Sequence, residues 1–369
     1  MAPDNLLLIR LGAIGDVVRT LPALRLVREQ IPHGRITWVV EANSRPLLDG
    51  HPDLDELILL DREALAAELT APDTFFSGVV RAGRFSLALR ERGFDATLDF
   101  QGTFKSGFVA FSSGAPRRIG FDRRSVKEGS HLFNNEHVTL PPPPIHRVAR
   151  NLALVGALGG RPSPGPVRTA LPIRDIDRDA ADRALASAGA SGGPFVFVYP
   201  GSSARQAYKR FPAARMSEIV RRLAEAGVEV VVGQGPGEEE IARAAAADSP
   251  AGLIHLLEPT GLLAMAEVIR RSRLFLGGDT GPMHLAWIQG VRVIALFGPT
   301  DPALNAPWGE GHVVFDAARG GIRPRDPSIF ETLDPAEIAG SALSLFAARA
   351  RMSAGSPVSA SRMTTARAE

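Results

Sequence analysis

The residues from Asp279 to His284, DTGPMH, have the types and the order of a phosphate-binding turn. They follow two glycines and a short apolar run, and an Asp or Thr before a Pro is a strong signal for the start of a helix. The first turn of a helix offers unpaired backbone N–H groups and the positive end of the helix dipole, which favour an anion. We therefore predict a diphosphate site surrounded by Asp279, Thr280 and His284, although a lone histidine is more often a core or capping residue.

Two more side chains have the chemistry to act on a bound diphosphate compound. Asp16 closes the glycine loop Leu11–Asp16 at the start of a helix, where a carboxylate is either an N-cap or a general base that faces a cleft. Lys209 is one of three lysines in a chain that otherwise uses arginine, and it follows the turn Gly201–Ser203. Its compact charge suits a diphosphate leaving group, and the ordinary alternative is a solvated surface lysine.

Further charged residues are candidates for contacts with the rest of a nucleotide or with an acceptor. Glu238, Glu239 and Glu240 open a helix, where acidic residues interact well with the dipole, and one of them could hold ribose hydroxyls. Lys105 has the same two interpretations as Lys209. The basic turn 116–133 is either a solvated face or a site for a phosphorylated acceptor. Its basic residues are Arg117, Arg118, Arg123, Arg124 and Lys127.

The composition argues against several kinds of chemistry. The chain has no cysteine and no short pair of histidine ligands among its eight histidines, so we expect neither a thiolate nucleophile nor a bound metal. The loop Gly12-x-x-Gly15 is not the fingerprint of a dinucleotide-binding protein, so no cofactor is expected. A net charge of +2 does not suggest nucleic-acid binding. No apolar run approaches the ~18 residues of a membrane span, and the expected location is the cytoplasm.

The elements that must position these residues alternate between strand and helix in two successive runs. The first contains a strand at Asn5–Arg10, a helix at Val17–Gln30 and a strand at Arg35–Glu41. The second contains a strand at Phe195–Tyr199 and the strand–helix–strand unit Leu274–Phe297. We predict an α/β protein with two Rossmann-like domains, residues 1–165 and 166–350, a ligand cleft between them and a disordered tail at 351–369.

Several stretches together resemble the ADP-heptose–lipopolysaccharide heptosyltransferases, glycosyltransferase family 9. The long and specific ones are LLLIRLGAIGDVVRTLPALRLVREQIPHGRITWVVE near the start and LGGDTGPMHLAWIQGVRVIALFGPTDP near the end. DFQGTFKSG, IGFDRRSVKEGSHLFNN and YPGSSARQAYKRFP support them. The resemblance extends from residue 6 to about residue 302, most of the chain. It implies the GT-B fold, in which two Rossmann-like domains enclose the active site.

The resemblance also implies an activity and assigns roles. The reaction would be an inverting, metal-independent transfer of heptose from ADP-heptose to the inner core of lipopolysaccharide. Asp16 looks like the base that deprotonates the acceptor hydroxyl, and Lys209 looks like the residue that neutralises the leaving ADP diphosphate. The donor-binding residues would be Gly15, Ser202, Glu238, Glu239, Asp279, Thr280, Gly281 and His284. The acceptor-binding residues would be Lys105, Arg123, Arg124 and Lys127.

The acceptor implied by the resemblance is a Kdo-lipid A type lipid at the inner leaflet. DFQGTFKSG and SVKEGSHLFNN look more like the enzyme that adds the first heptose to Kdo than the one that adds the second. We therefore expect peripheral contact with the inner membrane. The alternatives are a nucleotide-sugar epimerase, another GT-B sugar transferase, and a non-catalytic protein that binds a nucleotide sugar or lipid A.

Overall fold

A computed structural model describes residues 3–71, 73–126, 128–159, 169–247, 252–319 and 321–354. Two units follow one another in the chain, and each is built on a six-stranded sheet in which all neighbours are parallel. The first sheet contains β1 (Asn5–Ile9), β2 (Arg35–Val40), β3 (Glu56–Leu59), β4 (Ala96–Asp99), β5 (Arg117–Phe121) and β6 (Glu136–Val138). The second sheet contains β7 (Phe195–Tyr199), β8 (Glu229–Val232), β9 (Ile254–Leu256), β10 (Leu274–Gly278), β11 (Arg292–Phe297) and β12 (Val313–Asp316).

Helices connect the strands and cover both faces of each sheet. Those of the first unit are α1 (Ile14–Val18), α2 (Leu21–Gln30), α3 (Arg62–Thr70), α4 (Phe75–Arg90), α5 (Phe104–Ser112) and α6 (Arg147–Gly156). Those of the second unit are α7 (Asp175–Ala188), α8 (Ala213–Glu225), α9 (Glu239–Ala245), α10 (Leu262–Arg271), α11 (Gly281–Ile288), α12 (Pro302–Asn305) and α13 (Pro335–Ala354). Short 3-10 helices occur at Ala42–Leu47, Ser130–Leu132, Ala204–Lys209 and Pro327–Thr332. Because both faces are covered, the central strands are mostly apolar, and the polar Thr97 and Asp99 of β4 are buried among them.

Both sheets have the same strand order. The first is β3-β2-β1-β4-β5-β6, and the second, written from its other edge, is β9-β8-β7-β10-β11-β12. In each sheet the direction of winding reverses between two central strands, β1 and β4 in one and β7 and β10 in the other. Open sheets of this kind bind ligands outside the carboxyl ends of the strands at that point. A ligand site is therefore expected at the loops that follow these four strands.

Two local predictions are wrong. The helix predicted over Val17–Gln30 is interrupted between α1 and α2, because Pro22 has no N–H to continue the hydrogen-bond ladder. The predicted basic turn 116–133 contains strand β5, whose first residue, Arg117, forms an ion pair of 2.7 Å with Glu136 on β6. Because β5 begins with two arginines, it lacks the apolar run that indicates a buried strand. Arg118, the next residue, donates to the carbonyl of Phe133 at 2.8 Å.

The two units pack directly against each other. One core cluster takes buried side chains from both units, for example Leu8 and Trp38 of the first sheet with Phe275 of β10 and Trp287 of α11. The predicted division between residues 165 and 166 lies outside the described residues. The predicted tail begins inside α13, which continues to Ala354, and its remainder, 355–369, also lies outside them. No helix in the described part of the chain has both the length and the apolar character needed to cross a bilayer.

Candidate active site

A cleft of about 1000 Å³ lies between the two units at the carboxyl ends of their strands. The loops after β1 and β4 contribute Asp16 and Gln101 to one wall. The loops after β7 and β10 contribute Ser202 and Asp279 to the other wall. These are the loops at the two points where the winding reverses, so the topology itself brings the predicted functional stretches together.

Asp16 lies at the cleft between two arginines. Its Oδ2 is 2.7 Å from a guanidinium nitrogen of Arg10, and its Oδ1 accepts a short hydrogen bond from Arg19. Burial opposes ionisation of this carboxyl, but the charges of Arg10, Arg19 and Arg147 together outweigh burial and hold the pKa of Asp16 well below its usual range. Asp16 is therefore a carboxylate at physiological pH. Because Ala13 is the N-cap of α1, the interpretation of Asp16 as an N-cap is wrong.

The opposite wall is built around the start of α11. Thr280 is the N-cap of this helix, and it lines the cleft together with Gly281, so the positive end of the helix dipole lies at the cleft. Asp279, buried just before the turn, has its Oδ2 3.2 Å from Lys209 Nζ. Burial opposes its ionisation, but the hydrogen bond from His284 and the charge of Lys209 hold its pKa well below the usual range. The wall thus combines an ammonium group with a helix start.

The neighbours of His284 fix its tautomer. Its Nδ1 accepts a hydrogen bond of 2.9 Å from the indole N–H of Trp287, which can only donate. The proton of the neutral ring is therefore on Nε2, which makes a long contact of 3.5 Å with Asp279 Oδ1. A guanidinium nitrogen of Arg19 lies 3.2 Å from the same Nε2, but a protonated Nε2 does not accept from it. Burial, and then the charge of Arg19, lower the pKa of His284 to about 4 against the opposing effect of Asp279. His284 is a neutral donor that orients Asp279.

Of the three glutamates predicted near a ribose, Glu238 is the one that lines the cleft. Its Oε2 accepts hydrogen bonds from Tyr199 Oη at 2.6 Å and from the Gly235 N–H at 2.9 Å. Burial and then Glu238 raise the pKa of Tyr199, so its hydroxyl stays a donor. Glu239 accepts from the Gly237 N–H of its own loop at 3.1 Å. The geometry favours Glu238 for the ribose contact, and a donor contact by Glu239 stays a prediction.

The predicted acceptor residues are placed in different surroundings. Lys105 lies in the first turn of α5 and lines the cleft. Arg123 and Arg124 are exposed on the turn after β5 and do not line the cleft. Lys127 lies outside the described residues. The acceptor roles of these four residues stay predictions.

A smaller cavity of about 230 Å³ opens beside Asp16, and four arginines line it. They are Arg10, Arg19, Arg147 and Arg150. In the described part of the chain, no carboxylate is within ion-pair distance of Arg147 or Arg150, whereas the other two bind Asp16. Arg150 lies 3.9 Å above the ring of Phe121, and burial lowers its pKa to about 10, so it stays charged. The cavity can therefore receive an anionic group next to Asp16.

None of these four arginines is predicted from the sequence as a site residue. Arg19 had a local signal, because it lies three residues after Asp16 and so shares its side of a helix. Arg147 and Arg150 come from α6, far along the chain, and carry no local signal. Among the described residues, no three histidine or acidic side chains are grouped in a way that could hold a metal ion.

The two walls touch at α1 and α11. A Cβ atom on Gly15 would lie 2.8 Å from Cδ2 of the buried His284 ring, so this loop requires glycine for the close approach. A shared acceptor reinforces the contact: Asn305 Oδ1 receives hydrogen bonds from Arg19 at 2.8 Å and from Arg147 at 2.9 Å. Gly15, predicted to contact the donor, lines the cleft and is also the point where the units meet.

Two Rossmann-like units that enclose a cleft, with a carboxylate on one wall and a cationic anion site on the other, have the GT-B architecture of many sugar transferases. The model of "Glycosyltransferase family 9 (heptosyltransferase)" matches residues 82–325. The chain therefore belongs to glycosyltransferase family 9, and the predicted family and enzyme class are confirmed.

Known proteins resemble the chain over most of its length. Lipopolysaccharide heptosyltransferase 1 of Pseudomonas aeruginosa is 29% identical over 317 residues, which cover 84% of this chain and 82% of that protein. The Escherichia coli heptosyltransferase WaaC with ADP has a TM-score of 0.74 at 23% identity, covering 92% of this chain and 99% of that one. A family 9 glycosyl transferase from Veillonella parvula also has a TM-score of 0.74, at 20% identity, covering 94% and 97%. These structures confirm the predicted GT-B fold.

Replacing Gly15 with alanine should destabilise the contact between the units. The new Cβ would overlap a ring that Trp287 and Asp279 hold in place, and overpacking of this kind costs about 1–3 kcal/mol. Gly340→Ala is the matched control, because a Cβ on this glycine of α13 meets nothing within 4 Å. Thermal and urea unfolding measure the effect. Equal stability of the two variants would contradict the close approach.

Replacing His284 with glutamine should flatten the dependence of stability on pH. The pKa of His284 is about 4 in the folded protein against 6.5 for an ordinary histidine, so between these values the unfolded state binds more protons. Stability is then lost as pH falls through this window, by up to about 1.4 kcal/mol per pH unit for one group. Glutamine does not titrate. Urea unfolding at several pH values in this window should show a shallower slope for His284→Gln, and parallel curves would disprove the assignment.

Proposed function

We propose that this protein transfers heptose from ADP-heptose to the Kdo and heptose inner core of lipopolysaccharide, with inversion and without a metal ion. One observation carries the proposal: ionised Asp16 lies across the cleft from Lys209 and the start of α11. A single displacement at a sugar carbon needs a base on one side and a site for the leaving group on the other. The name of the Pseudomonas relative supports lipopolysaccharide as the acceptor.

The donor would lie against the second unit. The first-turn N–H groups of α11 and the ammonium of Lys209 suit the diphosphate, and no cofactor enters the proposal. Glu238, fixed by Tyr199 and Gly235, would accept the ribose hydroxyls. Asp279 would act by keeping Lys209 in position, since it faces the ammonium directly.

The reaction would be a displacement in one step. The acceptor hydroxyl oxygen forms a bond to the anomeric carbon while the bond from that carbon to the phosphate oxygen breaks. The hydroxyl proton goes to Asp16, and ADP leaves with the bonding electrons. Lys209 and α11 stabilise the charge that develops on the leaving oxygen. Attack from the wall of Asp16 on the side away from the leaving group would invert the configuration at the anomeric carbon.

The acceptor would bring its own anion to the smaller cavity. A carboxylate whose pKa is far below its usual range is a weak base, and the arginines that lower it also line that cavity. An acceptor anion bound to Arg147 and Arg150 would offset part of their charge, and Asp16 would become more basic. Kdo is a sugar acid with such a carboxylate, so Kdo-lipid A is the acceptor we propose. Such a lipid implies a protein that works in the cytoplasm at the inner leaflet, in peripheral contact with the membrane.

A transfer assay with Asp16→Asn tests the reaction. Wild-type protein should transfer heptose from ADP-heptose to Kdo-lipid A, and faster than to the product that already carries one heptose. Asp16→Asn should lower kcat by at least about 100-fold, because the amide cannot accept the proton, while ADP-heptose still binds. Asp175→Asn, at a carboxylate that is 94% exposed, is the control. Undiminished turnover of Asp16→Asn would contradict the assignment of Asp16 as the base. Activity only with other nucleotide sugars would contradict ADP-heptose as the donor.

Replacing Arg150 with methionine should weaken acceptor binding alone. The substitution keeps the packing on Phe121 but removes a charged donor, and hydrogen bonds to charged groups are worth about 1.5–3 kcal/mol. The KM for Kdo-lipid A should rise by about tenfold or more, with the KM for ADP-heptose unchanged. Arg221→Met, on the exposed side of α8, is the control. Equal increases of both KM values would contradict an acceptor subsite.

A further inference from the structure

Helix α4 of the first unit presents large apolar side chains to solvent. Phe76, Val80 and Leu87 are spaced by four and seven residues, which places them on one side of the helix. All three are exposed, Phe76 by 80% of its surface. An amphipathic helix normally turns this side toward a core, so the side chains lack a partner in the isolated chain.

Helix α5 presents a second apolar row beside the first. Phe104, Phe108 and Phe111 are spaced by four and three residues, which also places them on one side of a helix, and their rings pack edge-on around Phe133, with centroids 5.0, 6.4 and 6.2 Å away. Each of the three nevertheless keeps more than two-fifths of its surface exposed. The adjoining Leu132 is 78% exposed. Edge-on packing holds the rings in fixed positions, so this is an ordered apolar surface.

The two rows form one surface, which we name the α4–α5 face. It consists of Phe76, Val80 and Leu87 on α4, Phe104, Phe108 and Phe111 on α5, and Leu132. Helix α4 packs on α5, and α5 packs on the turn that contains Leu132. Single exposed apolar residues are common on soluble proteins, but a group of seven on elements that pack together marks a place of association.

All charged residues within the two helices of the α4–α5 face are basic. The sequences FFSGVVRAGRFSLALR and FKSGFVAFS contain no acidic residue, but they contain Arg81, Arg84, Arg90 and Lys105. Arg84, Arg90 and Lys105 are exposed. Apolar side chains surrounded by cations are complementary to the interface of an anionic bilayer, where each basic residue near the surface adds to the attraction. A protein partner of this chemistry would have to supply both apolar and acidic groups.

The α4–α5 face also adjoins the cleft. Thr103, the N-cap of α5, and Lys105 in its first turn line the cleft on the wall that carries Asp16. We infer that the α4–α5 face docks on an anionic lipid surface, so that the sugar of a lipid anchored in the same leaflet reaches the cleft at the start of α5. The identity of that lipid rests on the proposed function, but the docking does not.

Vesicle co-sedimentation of the full chain tests the docking. The probes are vesicles of phosphatidylethanolamine with phosphatidylglycerol and, for comparison, vesicles of phosphatidylcholine alone. Wild-type protein should bind the anionic vesicles more tightly, and added salt should weaken this binding. The double variant Phe76→Ser/Leu132→Ser should bind them at least about tenfold more weakly, since each side chain loses its apolar burial. Ile176→Ser/Ile322→Ser, at side chains of the second unit that are 65% and 92% exposed, is the control and should bind as wild type does.

Activity measurements separate this inference from the proposed function. With Kdo-lipid A in vesicles the double variant should be slower than wild type, and with a water-soluble Kdo glycoside without acyl chains it should be equal. If wild type uses neither acceptor, the proposed function fails while vesicle binding still tests the face. Unchanged vesicle binding of the double variant would overturn the inference. The inference would also be overturned if the double variant changed from oligomer to monomer while its vesicle binding stayed the same, because the α4–α5 face would then join copies of the chain.

Discussion

A row of charged and polar side chains that crosses from one unit to the other is the interaction on which this site depends. In order, the row consists of Arg10, Asp16, Arg19, His284, Asp279 and Lys209. Each of its two carboxylates lies between groups that donate to it, and both are therefore ionised, although Asp279 is buried and Asp16 is partly buried. Asp16 is paired with arginines of its own unit, and Asp279 is paired with Lys209 of its own unit, as a buried charge requires. The two halves of the row meet where Arg19 contacts His284.

The contact depends equally on small residues and on a rigid helix. Glycine at position 15 lets the loop after β1 approach the His284 ring, which a side chain there would prevent. Helix α11 is buried from Met283 to Ile288, against α1 on one side and α10 on the other. A helix held in this way cannot shift its first turn. The anion site at its start is therefore preformed, as a site that must stabilise a leaving group has to be.

The sequence predicts best where local chemistry decides the structure. The bounds of the strand Phe195–Tyr199 agree with the prediction, because an uninterrupted apolar run is a local signal. Asp16 and Asp279 were found because each follows a strand and opens a helix. The arginines of α6, such as Arg150, were not found, because their place beside Asp16 arises only when distant elements pack together. In the sequence, these arginines look like the charged residues on the solvated face of any helix.

The arginines beside Asp16 bear on a side reaction open to every such transferase, in which water replaces the acceptor and hydrolyses the donor. A carboxylate with a strongly lowered pKa activates a hydroxyl poorly, so with donor alone bound, Asp16 would be a weak base toward water. Water brings no negative charge to Arg147 and Arg150, whereas an acidic acceptor does. In the proposed reaction the base would gain strength only when the correct acceptor is present, and the donor would be protected from hydrolysis. The charge that makes Asp16 look ill-suited to catalysis is then the charge that makes it selective.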